Sequence, residues 1–146
     1  MLENGNLLLF DNGSGRPATE GGHYSRALEL ALDWDSMTAT KVWEYRHQIE
    51  DAGGAPVYKY SDKVGSAQRL KNGNTLIMFG ADTAPTTLLS KNPQTFTLVE
   101  ADANTEAGAV AVLDIQIPLP PGTGQIYRAL PVEALFGEVP GKEQHH

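Results

Sequence analysis

The sequence contains no cysteine. That excludes disulfides, thiol nucleophiles and zinc sites built on thiolates, while leaving the compartment open. Cations are few as well, with 11 Lys and Arg against 18 Asp and Glu and a net charge of −7. They are scattered along the chain, which argues against nucleic-acid binding, because phosphate contacts need grouped Lys and Arg. No window approaches the roughly 18 apolar residues of a membrane span. The first residues do not read as a signal peptide, so no membrane partner is expected. Helical patterning is also scarce. Only "LPVEALFG" could wind one turn, and Pro131 favours a strand or an irregular end there. No two histidines stand at i,i+2 or i,i+4 beside a carboxylate, so no metal site is expected. "GTGQ" at Gly122 lacks the strand–helix context of a phosphate cradle, and no cofactor is expected. His145 and His146 read as the remnant of a purification tag.

What is present is glycine and proline, 15 and 9 of them in 146 residues that are 40% hydrophobic. They fall between short apolar runs, as turn residues do in an all-β domain of this size. "NLLLFDN", "RALELALD" and "TKVWEYRH" read as strands in the first half. "SAQRL", "NTLIMFG", "TFTLVEADA" and "AVAVLDIQI" read as strands in the second. The two halves repeat. Asn4-Gly5-Asn6 returns as Asn72-Gly73-Asn74 and Leu8 as Leu76, an offset of 68. Leu28 to Leu98 and Val42–Tyr45 to Val112–Ile115 are both offset by 70. The NGN triplets read as hairpin turns, since Asn and Gly tolerate positive φ. Asp35–Thr38 and Ala103–Gly108 read as the turns of a second hairpin in each copy.

Two repeated strand units fit either a two-sheet sandwich or a pair of four-stranded propeller blades. The propeller reading divides a single domain into blade one at 3–63, blade two at 64–118, a closing strand at 119–137 and a tail at 138–146. Blade one lacks its inner strand: "GSAQRL" precedes the second NGN turn, but only Met1 and Leu2 precede the first. "QIYRALPVEALFG" follows copy two as "GSAQRL" follows copy one, and would supply that strand to a neighbour. Two blades cannot close a ring, and closure is what removes exposed strand edges. A homo-oligomer is therefore expected, a trimer above all, whose two blades per chain would complete a six-bladed propeller.

The ordered set LFDNG, YSR, VWEY and GSAQRL-x-NGNTLI resembles the C-terminal blades of arylsulfotransferase-like proteins over about residues 3 to 137. The resemblance implies a six-bladed propeller. It also implies sulfuryl transfer from an aryl sulfate to a phenol through a sulfated histidine, with no nucleotide cofactor. In that family the nucleophile lies on the strand before LFDNG. At the equivalent place in copy two stand Gly65 and Ser66, so no catalytic residue is assigned and the expectation is scaffold without turnover. The non-enzymatic alternative is a self-assembling binding module.

Asp11, Asn12 and Arg16 close a strand whose loop could face a central channel. Arg16 beside amide and backbone donors could hold a small anionic or aromatic ligand. The competing reading is an Asx-turn with a solvated arginine. His23, Tyr24 and Arg26 join this candidate set, with a solvated loop as the alternative for His23. His47 is expected at the surface beyond a strand end. Trp34, Trp43, Tyr45, Phe79 and Phe96 are expected in the core. Glu29, Asp33, Asp35 and Glu44 are expected on a solvated strand face.

Overall fold

The structure, a computed structural model, describes residues 1–51, 53–80, 95–103, 109–118 and 128–131. Its strands are β1 (Leu7–Asp11), β2 (Arg26–Asp33), β3 (Thr38–Tyr45), β4 (Gln48–Glu50), β5 (Pro56–Tyr58), β6 (Gly65–Arg69), β7 (Thr75–Phe79), β8 (Thr95–Ala101) and β9 (Ala111–Pro118). A single 3-10 turn, Ala18–Glu20, is the one helical piece among the described residues. The sheets are antiparallel, in the orders β1-β2-β3, β4-β5 and β6-β7-β8-β9. The chain is all-β.

The NGN triplets fold alike. Leu2 N–H donates to Asn6 O at 2.8 Å, and Leu70 N–H donates to Asn74 O at 2.8 Å. Gly5 and Gly73 sit at φ 83 and 88, where a side chain would be strained. Asn4 and Asn72 each accept the N–H two residues on, at 3.0 Å.

The repeat holds in register. Leu8 lies opposite Glu29 and Glu29 opposite Trp43; Leu76 lies opposite Glu100 and Glu100 opposite Leu113. Both ladders slip at the same step, leaving Val42 unpaired in β3 and Val112 unpaired in β9. A shared bulge is a specific feature, because an inserted residue re-aims every side chain beyond it. The offset is 68 at the first strand pair, 71 at the second and 70 at the third. Leu28 therefore matches Val99 rather than Leu98, because the connection leading into β8 is three residues longer than its counterpart.

The core lies between the three-stranded and four-stranded sheets. Leu8, Phe10, Ala27, Trp43 and Tyr45 of the first pack with Ala67, Ile77, Phe79, Val99 and Ala101 of the second. Ile77, Phe79 and Val99 are fully buried, each contributing about 1.5–3 kcal/mol. The Phe10 and Phe79 rings meet edge to face, with centroids 5.3 Å apart. β6 passes β1 through Gly65, where a Cβ would come within 2.2 Å of the Phe10 ring.

Several expectations are corrected. Trp34 is not in the core but 65% exposed. Asp33 accepts the N–H groups of Asp35 and Ser36 at 3.0 and 3.1 Å, so the turn is 34–37 and carries the indole outward. Beyond His47 the chain adds two strands the sequence did not suggest: β4 and β5 form a hairpin whose turn is tied by Asp51, accepting from Gly53 and Ala55 N–H. Trp43, Tyr45, Phe79 and Phe96 are buried as expected. Residues 104–108 of the expected second turn, most of the "QIYRALPVEALFG" segment, Gly122 and the two terminal histidines lie outside the described residues.

Candidate functional site

Four of the candidate residues do come together, at the end of β1 and the start of β2. Asp11 accepts from Arg16 Nη2 at 2.5 Å, from Arg26 Nε at 2.8 Å and from Gly13 N–H at 2.9 Å. Arg26 continues to Glu44 on β3 at 2.9 Å, and Arg46 and Lys41 reach the same carboxylate at 2.7 and 3.3 Å. The Asx-turn is present, but its arginine is not solvated. The Arg16 side chain is 8% exposed, lies 3.8 Å from the Tyr24 ring centroid and donates to Tyr24 O at 2.6 Å. Arg46 stacks on the same ring at 4.4 Å. Burial works against ionisation of Asp11. Arg26, the Gly13 N–H and Arg16 outweigh it and hold this carboxyl below its usual range. Burial opposes the charge on Glu44 too, and Arg46, Lys41 and Arg26 likewise hold it low. Four cations face two carboxylates, leaving a positive surplus.

Asn12 and His23 stand apart from that cluster. Asn12 Nδ2 donates to Ser61 O at 2.6 Å, while Ser25 Oγ donates to Asn12 O at 2.9 Å and accepts from Ser61 N–H at 2.8 Å. This knot pins the β1–β2 connection to the segment before β6. His23 is exposed, its ring 5.2 Å from that of Tyr60.

A second polar group was not expected. His47 is not at the surface; it is 4% exposed, between the two larger sheets. Its Nδ1 shares a hydrogen bond with the Tyr45 hydroxyl at 3.1 Å, and its ring lies 5.6 Å from that of Phe79. Nε2 lies 3.6 Å from Asp114 Oδ2 and has no hydrogen-bond partner among the described residues. Buried Lys59 donates to Thr95 O at 3.1 Å. Burial lowers the His47 pKa; Asp114 opposes that shift and Lys59 adds to it. Burial, with Asp114, pushes the Tyr45 hydroxyl up to about 12. The signal available was alternation: Tyr45 faces the core, so His47 two positions on shares its side.

Glu29 is likewise not on a solvated face. It is 6% exposed, accepts from Asn6 Nδ2 at 2.7 Å and from Asn4 Nδ2 at 3.3 Å, and pairs with Arg69 of β6. Arg69 also covers the Trp43 ring. The same turn geometry in copy two points Asn74 and Asn72 at Glu100, at 2.6 and 3.0 Å. A cleft of about 410 Å³ opens beside the Glu29–Arg69 pair, lined also by Asn6, Val42, Trp43, Gly73 and Ala103. Asp33 and Asp35 are exposed as expected. Among the described residues no cluster of His, Asp or Glu could hold a metal ion.

These features define an all-β chain built from two register-matched antiparallel units with buried polar ties between them. A family model described as Arylsulfotransferase (ASST) matches residues 1–128. The chain belongs to the arylsulfotransferase family. Comparison with curated proteins and with solved structures returned no match.

Proposed function

We propose that these residues form a two-blade segment of an arylsulfotransferase-type propeller and supply its scaffold without its nucleophile. The observation that carries this is the register-matched repeat, bulge included, within a chain of that family. The family reaction needs a neutral imidazole open to the sulfuryl group and donors for the sulfonate oxygens. The histidines here are His23, His47, His145 and His146. In copy two β6 stands at the place where the resemblance puts the nucleophile, and its residues GSAQR include no histidine. His47 is enclosed by Tyr45, Phe79 and Asp114, and no sulfate ester could reach it without the sheets parting. The arginine cluster around Tyr24 keeps a surplus of positive charge and is the proposed place for a small anionic or aromatic ligand.

The test is incubation with p-nitrophenyl sulfate and a phenol acceptor, followed by absorbance and by intact mass. Release of p-nitrophenol at the uncatalysed rate, with no sulfated histidine, is the expected result. Turnover accompanied by an 80 Da adduct on His23 or His47, the mass of a sulfuryl group, would overturn the reading.

A second reading concerns assembly, and one contrast favours it. Trp43 and Tyr45 are 5% and 6% exposed, whereas Leu113 and Ile115 at the same register positions are 43% and 39% exposed. On this reading copies associate head to tail, three of them rebuilding the six blades, and burial covers the exposed face.

A further inference from the structure

The two units are one module used twice, so the contact between them is a pattern for contacts that each unit still lacks. One face of the first sheet, carrying Leu8, Phe10, Ala27, Glu29, Trp43 and Tyr45, is closed by the second. The matching positions in the second sheet are Leu76, Met78, Leu98, Glu100, Leu113 and Ile115. There Met78 is fully buried, while Leu113 and Ile115 at the β9 end are open to solvent. The reciprocal comparison agrees in part: Ile77, Val99 and Ala101 are fully buried, whereas of their counterparts Leu9 and Leu30 are half-buried and Leu28 is buried. The exposed parts of these two faces are thus complementary portions of an interface that already exists once inside the chain.

The charge pattern says what is missing. In the formed interface Glu29 is held by the two asparagines of the NGN turn and closed by Arg69, an arginine from the adjoining unit. In the open one Glu100 is held by Asn72 and Asn74 in the same way, and no ion pair among the described residues reaches it. Of the five arginines, Arg16, Arg26, Arg46 and Arg69 are paired, and Arg128 is exposed. Arg128 also follows copy two in the chain as Arg69 follows copy one.

We infer that the Glu100 face of the four-stranded sheet docks the three-stranded sheet of a second copy, with Arg128 closing on Glu100 as Arg69 closes on Glu29. The inference rests on the assembly reading above and adds its residues. The contact is heterologous, since one sheet's face meets the other sheet's opposite face, so it propagates until a ring closes. The Asn72 and Asn74 amides hold Glu100 ionised and aimed before the arginine arrives, which limits the entropy lost on docking. Burial of Leu113 and Ile115 supplies the apolar part.

The experiment is light scattering on a size-exclusion column, over a dilution series, for the whole chain and for Glu100→Gln, Arg128→Ala and Ile115→Asp. Glu100→Gln keeps an oxygen for the asparagine amides and removes only the charge. The wild-type chain is expected at three times the monomer mass. Removing either charge is expected to raise the concentration at which it dissociates roughly thirtyfold or more, as for a desolvated pair cut on one side. Ile115→Asp is expected to give a monomer with an unchanged far-ultraviolet dichroism spectrum, β9 being an edge strand. A monomeric wild type at every concentration overturns the assembly reading and this inference together. A wild-type trimer that dilutes identically to Glu100→Gln and Arg128→Ala overturns the charge contact while leaving assembly standing. A trimeric Ile115→Asp overturns the choice of face.

Discussion

Glu29 and Glu100 occupy the same register position in two sheets, yet among the described residues only Glu29 is paired with an arginine. Within one folded chain the two should therefore respond differently to the same substitution. Glu29→Gln strands the Arg69 guanidinium in a partly buried site. It should cost about 2–4 kcal/mol, as expected when one partner of a buried pair is removed. Glu100→Gln, measured where the chain is monomeric, should stay within about 0.5 kcal/mol, as for a surface change. Urea unfolding of both variants, at a concentration too low for association, checks the contrast. Equal losses would mean that Arg69 adds nothing to Glu29.

His47 sets a pH dependence of its own. Its folded-state pKa is depressed, first by burial and also by Lys59, against the pull of Asp114. The unfolded chain thus binds the proton more readily. Stability is full above the unfolded value near 6.5 and declines as pH falls through that value towards the lower folded one. Tyr45, up at about 12, does not titrate in this range. Unfolding midpoints at half-unit steps from pH 8 to pH 5 should show a slope that His47→Gln abolishes. The carboxylates Asp11 and Glu44 act elsewhere. Their folded values are lowered, so their contribution is present above roughly pH 4.5 and lost below it. A slope between pH 7 and pH 5 that survives in His47→Gln would remove His47 as its source.

Gly65 sets how closely β6 can approach β1. An added Cβ would sit 2.2 Å from Phe10 Cε1 and 2.5 Å from two further ring atoms. Gly65→Ala should destabilise by about 1–3 kcal/mol, the cost of forcing atoms into a packed core. Phe10→Leu in the same chain should recover part of that loss, because the clash is with the ring. If the double variant loses the sum of the two single losses, the ring is not what Gly65 makes room for.

The strands were legible because β-structure leaves a local record. Apolar runs between Gly and Asn turns placed all of the strands in both large sheets, and the offset of 70 between Val42–Tyr45 and Val112–Ile115 matched the observed register. The pairing of β4 with β5 was not legible, because each has only three residues, too few to establish a period. The burial of Glu29 and Lys59 was not legible either, and for His47 the alternation with Tyr45 gave the side but not the burial. Period two says which side of a strand a residue takes, and a charged residue is assigned to the solvent side by default. What buries these three is the docking of one sheet on the other, a contact between residues far apart in the chain. The candidate set was legible in part. Proximity along the loop grouped Asp11, Arg16, Tyr24 and Arg26 correctly. Glu44 and Arg46, which complete the cluster, come from β3 and its end through the sheet register.

Asp11 does two separable jobs, and two substitutions should divide them. Its Oδ1 accepts the Gly13 N–H, and its Oδ2 accepts from Arg16 and Arg26. Asp11→Asn retains an oxygen for Gly13 but removes the charge that Arg16, with its 8% exposed side chain, is buried against. That change should cost about 1–3 kcal/mol, because a partly buried cation loses its counter-ion while Arg26 keeps Glu44. Asp11→Ala should add about 0.5–1.5 kcal/mol for the turn hydrogen bond. Hydrogen exchange at the Gly13 amide separates the two: protection should persist in Asp11→Asn and fall in Asp11→Ala. Equal exchange in both variants would mean that the turn is held by the arginines and not by its own side-chain acceptor.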